Sequence, residues 1–347
     1  MRLVSRLADL TPAHFGMVMA TGIVSIAAHL LAPGALARVL FDLNIGVYAL
    51  LSTLTIMRAA AHPRKLLADV TDHQRGPAFF AIVAGTGVLG SQAVLLAGAY
   101  ATATALLAVA VVLWIALTYM VFVGLTIKDV KPALDQGISG TWLLTVVATQ
   151  SIAVLSALLA AHAAGPWRLQ LDFVALSMWL LGGMLYIWMI SLIFYRYTFL
   201  RFRPADLSPP YWINMGAMAI STLAGALLIA NAHDEPLLAS LLPFLEGYTL
   251  LYWATGTWWI PMLVVLALWR YVYRRFPLRF DPLYWAAVFP LGMYAASTHE
   301  MVNALGLPFL ASVPMVFLYL ALTAWTATFT GLLVDVARRF RGSARAL

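Results

Sequence analysis

Ten stretches of this chain are each long and apolar enough to cross a bilayer. They cover residues 12–32, 37–60, 78–99, 102–127, 140–162, 172–198, 210–231, 244–270, 282–305 and 311–336. A helix needs about 20 apolar residues to span roughly 30 Å of hydrocarbon, and a barrel strand only about 10. Lipid offers no partner for backbone N–H and C=O groups, so spanning segments are helices or closed barrels. Continuous runs of this length read as helices. The expected fold class is therefore an all-α integral membrane protein with ten transmembrane helices, organised as one domain over residues 1–347. Only 10% of the residues are charged, against about 25% in soluble domains.

The first segment has features of a signal peptide: Arg2 and Arg6 precede it, and "APGALA" resembles a small-residue cleavage site. Its length suits a span better, and it carries the repeat described next, so it reads as retained.

The odd-numbered segments share a pattern. They run "TPAHFGMVMATG" (Thr11–Gly22), "GPAFFAIVAGTG" (Gly76–Gly87), "SGTWLLTVVATQ" (Ser139–Gln150), "PPYWINMGAMAIST" (Pro209–Thr222) and "DPLYWAAVFPLGMYAAST" (Asp281–Thr298). Pro12, Pro77, Pro210 and Pro282 suit a first helical turn, where a missing N–H costs nothing. An aromatic follows, then small residues and Thr21, Thr86, Thr149, Thr222 or Thr298. Successive threonines are 65, 63, 73 and 76 residues apart, and each interval holds one odd and one even helix. The chain reads as five helical hairpins. Small residues on one membrane helix suggest close packing. On five equivalent helices they suggest an axis, with odd helices inside around a central pore and even helices outside.

The net charge of +7 has a topological meaning. With the N-terminus inside, only Arg38 and Arg168 of the 21 Lys and Arg fall on the outer side, and the other 19 fall on the inner side. By the positive-inside rule both termini are cytoplasmic and the five odd helices run parallel. A basic surface for nucleic acid is not the reading.

Several chemistries are excluded. There are no cysteines, hence no disulfide or Cys-bound metal. No two of the seven histidines have metal-ligand spacing on a helix. No Walker A or Gly-x-Ser-x-Gly motif occurs. All three lysines lie in loops, which excludes a retinal Schiff base. No enzyme, cofactor or metal is expected. The carboxylates near spans, Asp42, Glu246 and Glu300, lie toward the outer ends, unlike the acidic rings of cation channels. The inner ends carry helix N-termini and basic loops, which favour anions.

Seven residues from each starting position lie Met19, Ala84, Val147, Ala217 and Phe289. One large ring thus faces smaller partners. Pro290 removes a helical hydrogen bond beside it, and a phenyl plug would block a narrow pore. The competing reading is a packing phenylalanine beside a structural proline.

The runs "PAHFGMVMATGIVS" and "YWAAVFPLGMYAAST" resemble the tellurite-resistance/dicarboxylate transporter family, which includes TehA, fungal malate permeases and sulfite efflux pumps, and plant slow-type anion channels. The resemblance covers about residues 8–340. It implies a homotrimer with a pore in each protomer, occluded by a phenylalanine of the ninth helix, the position of Phe289. Met19 to Ser25, "MATGIVS", is closer to the malate and sulfite branch.

Other residues carry two readings each. The five threonines either line the pore or bond to the i−4 carbonyl. Gln150 either meets a solute or ties two helices together. His14 either senses pH at the inner mouth or is a solvated helix-end side chain. His299 and Glu300 either couple protons at the outer mouth or form an interfacial pair. The expected function is passage of small anions, C4-dicarboxylates such as malate first, across the inner (plasma) membrane. The alternatives are an inorganic-anion channel or exporter for sulfite, tellurite, chloride or nitrate, and a non-conducting receptor or structural protein.

Overall fold

The computed structural model describes residues 7–278 and 280–344, with side chains as far as 338. Of the basic residues assigned to the inner side, Arg2, Arg6, Arg279 and Arg345, and the side chains of Arg339 and Arg341, lie outside the described residues. The described chain is helical, with no strand among the described residues. Ten long helices are α1 (Gly16–Leu31), α2 (Ala35–Ala61), α3 (Phe80–Ala97), α4 (Tyr100–Thr126), α5 (Leu144–Ala160), α6 (Pro166–Phe199), α7 (Ile213–Asn231), α8 (Leu242–Leu268), α9 (Trp285–Leu305) and α10 (Val313–Ala344).

Nine of these helices are both long and apolar enough to cross a membrane. The exception is α9, which carries Pro290, Ser297, Thr298, His299 and Glu300. Most of it is buried among other helices, so it does not need an apolar face toward lipid. The multi-pass membrane character expected from the sequence holds.

A short 3₁₀ turn precedes each odd-numbered helix: Pro12–Phe15, Gly76–Phe79, Gly140–Leu143, Pro209–Trp212 and Pro282–Tyr284. The prolines sit where no N–H is needed. Thr11 and Asp281 cap two of these turns through side-chain oxygens. Gly98 and Gly306, both left-handed at φ 59° and 63°, stop α3 and α9.

Contacts order the helices into two shells. α1 touches α3, α3 touches α5, α5 touches α7, α7 touches α9, and α9 returns to α1. The five 3₁₀ turns close a ring of their own in the same order, so the five inner N-termini share one end. Burial follows suit: the most apolar stretch of α5 is 100% buried, and that of α2 only 17%. Each even helix lies over the seam between two successive inner helices. The thinnest seam is α8 against α9.

One hydrogen-bond pattern fastens the shells. Trp325 Nε1 donates to Thr21 Oγ1 at 3.0 Å, and Trp114 Nε1 to Thr149 Oγ1 at 2.8 Å. Trp253 Nε1 donates to Thr298 Oγ1 at 3.1 Å, and the Tyr48 and Thr86 hydroxyls are 3.0 Å apart. In the fourth repeat Thr222 bonds back to the Met218 carbonyl, while Trp179 Nε1 takes the neighbouring Ser221 carbonyl at 2.8 Å. An outer aromatic therefore grips each inner helix near the same level. Trp114→Phe keeps the ring and removes one such bond, leaving the Thr149 hydroxyl with only its back-bond to Thr145. We expect a loss of about 1 kcal/mol, read as a lower thermal midpoint in detergent with the fold unchanged by circular dichroism.

Candidate functional site

The inner N-termini enclose a small cavity of about 20 Å³, room for about one water. All five inner repeats reach it: Gly16, Ala81, Leu144, Ile213 and Ala286 are on its wall. Met19 and Phe289, one step deeper in the seven-residue register, also line it. Ala84, Val147 and Ala217, which share that register, are fully buried and lie outside its lining. The two largest side chains of that register thus reach into the cavity, and the three smallest pack behind it.

The ring of Phe289 is 1% exposed, and the backbone around it is tightly held. Pro290 lies against Gly216 of α7, where a methyl group would come within 2.8 Å of the proline Cγ. On the opposite flank Gly292 meets Ile23 and Val24 of α1, each 3.1 Å from where a Cβ would stand. α9 is wedged between two neighbours through two glycines, one on each side of the Phe-Pro pair. Gly216 and Gly292 belong to the site's scaffold, and single-residue inspection of the sequence passed them over.

The threonine hydroxyls are committed to the helix–helix interface, as described above. Of the two readings the sequence left for them, Thr86 and Thr149 show the back-bond to the i−4 carbonyl, and the hydroxyls of Thr21, Thr86, Thr149 and Thr298 each also meet an indole or phenol of an outer helix. Thr222 is fully buried and back-bonded. Gln150 donates from Nε2 to the Trp179 carbonyl at 3.0 Å and packs against Gly182.

His14 lies in the first 3₁₀ turn, at the cavity end, with Nδ1 2.7 Å from the Thr11 carbonyl. A carbonyl only accepts, so Nδ1 carries the proton. His299 and Glu300 are at the opposite end. Asn303 Nδ2 donates to His299 Nε2 at 3.2 Å. Glu300 lines a larger cavity of about 670 Å³ in the α8/α9 seam, together with Glu246, His233 and Asn303. No His299–Glu300 ion pair occurs among the described residues.

Around the inner N-termini stand three buried arginines, each at the end of an even helix: Arg58, Arg196 and Arg270. Arg58 is bound by Asp69, which also takes Arg75 at 2.9 Å. Arg196 bonds to the Ile138 carbonyl and the Tyr211 hydroxyl, with Asp206 at 3.7 Å. The sequence marked these residues only as inner-side charge. Their burial depends on which helix ends meet, and periodicity does not reveal that. In the same loops, the Lys65 ammonium 2.5 Å from Asp9 holds that carboxyl below its usual range.

Sequence comparison decides the family. Residues 9–333 match the family model described as SLAC1, voltage-dependent anion channel. The chain belongs to this anion-channel family. The resemblance to tellurite-resistance/dicarboxylate transporters read from the first and ninth helices is to this same family. Relatives within it carry only general descriptions. A Mycobacterium tuberculosis protein described as an uncharacterized membrane protein is 39% identical over 161 residues, which is 46% of this chain and 81% of the relative. A Methanocaldococcus jannaschii protein described as an uncharacterized transporter is 26% identical over 187 residues, about half of each chain. Membership of the anion-channel family makes this a membrane protein of a transport family whose solutes are small anions.

Proposed function

We propose that the chain passes small anions along the axis of its five inner helices, with Phe289 and Met19 as the closing side chains and Pro290 fixing the backbone beside the gate. The observation that carries this reading is the cavity that all five inner N-termini enclose and that reaches Phe289. Helix N-termini place partial positive charge there, and the arginine-bearing rim adds to it. An anion entering from that end meets attraction and then an apolar ring, and a narrow apolar constriction stops conduction by dewetting. Ala84, Val147 and Ala217 set the width of the path behind the gate. His14 guides anions at the inner mouth, while His299 and Glu300 stand at the outer mouth and are candidates for proton coupling.

In this reading the chain is ten spans in five parallel hairpins. It is assembled as a homotrimer in the inner (plasma) membrane with both termini cytoplasmic. The solute is a C4-dicarboxylate such as malate, in keeping with the "MATGIVS" run. A second reading is an inorganic anion such as chloride, nitrate, sulfite or tellurite, and the one-water width of the cavity favours it.

The test is anion flux into proteoliposomes holding the purified protein, under matched chloride and malate gradients at clamped membrane potential. Flux of either anion above protein-free vesicles supports transport, and mutual competition identifies the preferred solute. Folded protein that passes neither anion, in wild type and in Phe289→Ala alike, sinks the proposal in favour of a non-conducting receptor or structural role.

A further inference from the structure

The third arginine of the inner rim has no counter-charge. Arg270 is 8% exposed, yet its side chain makes no ion pair or hydrogen bond among the described residues; its Nε is buried without a partner, as are those of Arg58 and Arg196, but those two are paired through their terminal nitrogens. Arg58 and Arg196, in equivalent places at the ends of α2 and α6, each face an aspartate. The residues outside the description contain no Asp or Glu. Two rings flank the Arg270 guanidinium, with Phe276 at 4.3 Å and Tyr271 at 5.0 Å from their centroids. A buried charge without a partner is costly, and proteins usually pair it or expose it.

Arg270 also borders a cavity of about 250 Å³ at the inner end of the α8/α9 seam. Its polar groups come from Arg270, Tyr271, Tyr284 and Ser208, with Tyr211 and Trp212 beside them, and its apolar wall includes Leu263, Ala267 and Leu291. The hydroxyls of Tyr271 and Tyr284 are 2.8 Å apart. One proton bridges the pair, and the other is free to donate. Arg270 sits on a single π turn, Trp269–Tyr273, that interrupts the regular end of α8. Such turns recur at functional sites, and this one carries both Arg270 and Tyr271.

We propose that this cavity is an oxyanion site of the phosphate class, separate from the axial path, in which Arg270 supplies the charge and the tyrosine pair a further donor. A guanidinium fork matches phosphate oxygens bidentately. The apolar wall, shared by the outer helices α8 and α10 through Ala267 and Ala324, suits the acyl part of an anionic phospholipid. A free phosphate satisfies the same donors without using that wall. The site does not rest on the transport reading, because binding is measured without flux.

The experiment is thermal unfolding of the full-length protein in neutral detergent, titrated with phosphatidylglycerol, phosphatidylcholine or inorganic phosphate. Wild type, Arg270→Gln and Ala267→Phe are compared. Ala267→Phe fills the cavity and leaves the arginine in place, so it decides the matter even if Arg270→Gln does not fold. A ligand that binds only the folded state raises the midpoint with concentration. The expected result is a saturable rise of several degrees with phosphatidylglycerol in wild type, absent with phosphatidylcholine and lost in the variants. A rise of equal size with inorganic phosphate, also lost in the variants, assigns the site to the free anion. Shifts equal in wild type and Ala267→Phe, or no shift with either phosphate source, overturn the proposal.

Discussion

Phe289→Ala should raise anion flux by about tenfold or more in clamped proteoliposomes, since each ~1.4 kcal/mol removed from a barrier is tenfold in rate. The ring lines the small cavity at the inner helix ends and is the largest side chain of its seven-residue register, and nothing polar replaces it. Removing it lets water enter and ends the dewetted block. Elsewhere in a packed core the same change costs about 3–5 kcal/mol through the cavity it leaves. The two readings of Phe289 thus predict opposite outcomes. A gate gives more flux and a modest loss of stability. A packing residue gives unchanged flux and a large loss of stability. Thermal unfolding run beside the flux assay separates them, and wild-type flux in folded mutant protein removes Phe289 as the gate. Met19→Ala, on the neighbouring helix at the same cavity, should act in the same direction with a smaller effect.

The second large effect is expected at Asp69, which is not among the residues lining the small cavity. Its carboxylate binds Arg58, which is 1% exposed, and Arg75, which is 63% exposed. Asp69→Asn leaves the buried guanidinium without a charge partner. Breaking a buried pair from one side costs about 3–5 kcal/mol, so a marked fall in thermal midpoint should follow. Arg75→Ala removes the exposed arm of the same cluster and should cost no more than about 1 kcal/mol. If the two variants unfold alike, the Arg58–Asp69 pair does not hold the α2–α3 connection. Tethering of that connection is the role its geometry assigns, because Asp69 lies at the end of the short helix Pro63–Val70 that leads into the second 3₁₀ turn.

The Arg58–Asp69–Arg75 cluster also shows where sequence reading stopped. Hydropathy and loop charge placed both arginines on the inner side, and no local pattern distinguishes Arg58, which is enclosed, from Arg75, which is not. The threonines show the converse. Their repeat was plain in the sequence, and it marks a real structural level, at which four of the hydroxyls meet Trp325, Tyr48, Trp114 and Trp253. Those partners are on even helices, which the repeat pattern of the odd segments does not include. Phe289 stood out in the sequence because it is the one large ring in a register of smaller residues, whereas Met19 was counted among those smaller partners and only the cavity sets it beside Phe289. Gly216 and Gly292, which hold the helix bearing Phe289, were not, because glycine is common throughout the inner segments and only the neighbour reveals its use.

By itself, then, the sequence determined the all-helical membrane class, the starting turns of the inner helices and the register that singles out Phe289. These follow from properties local to each segment: the length of apolar runs, proline at a first turn and side-chain volume along one helix. Tertiary structure alone decided which oxygens meet which indoles, which arginines acquire an aspartate and which one, Arg270, does not. Those are meetings between residues as many as 304 positions apart, as for Thr21 and Trp325. They depend on how helix ends come together in space, a geometry that no single segment encodes.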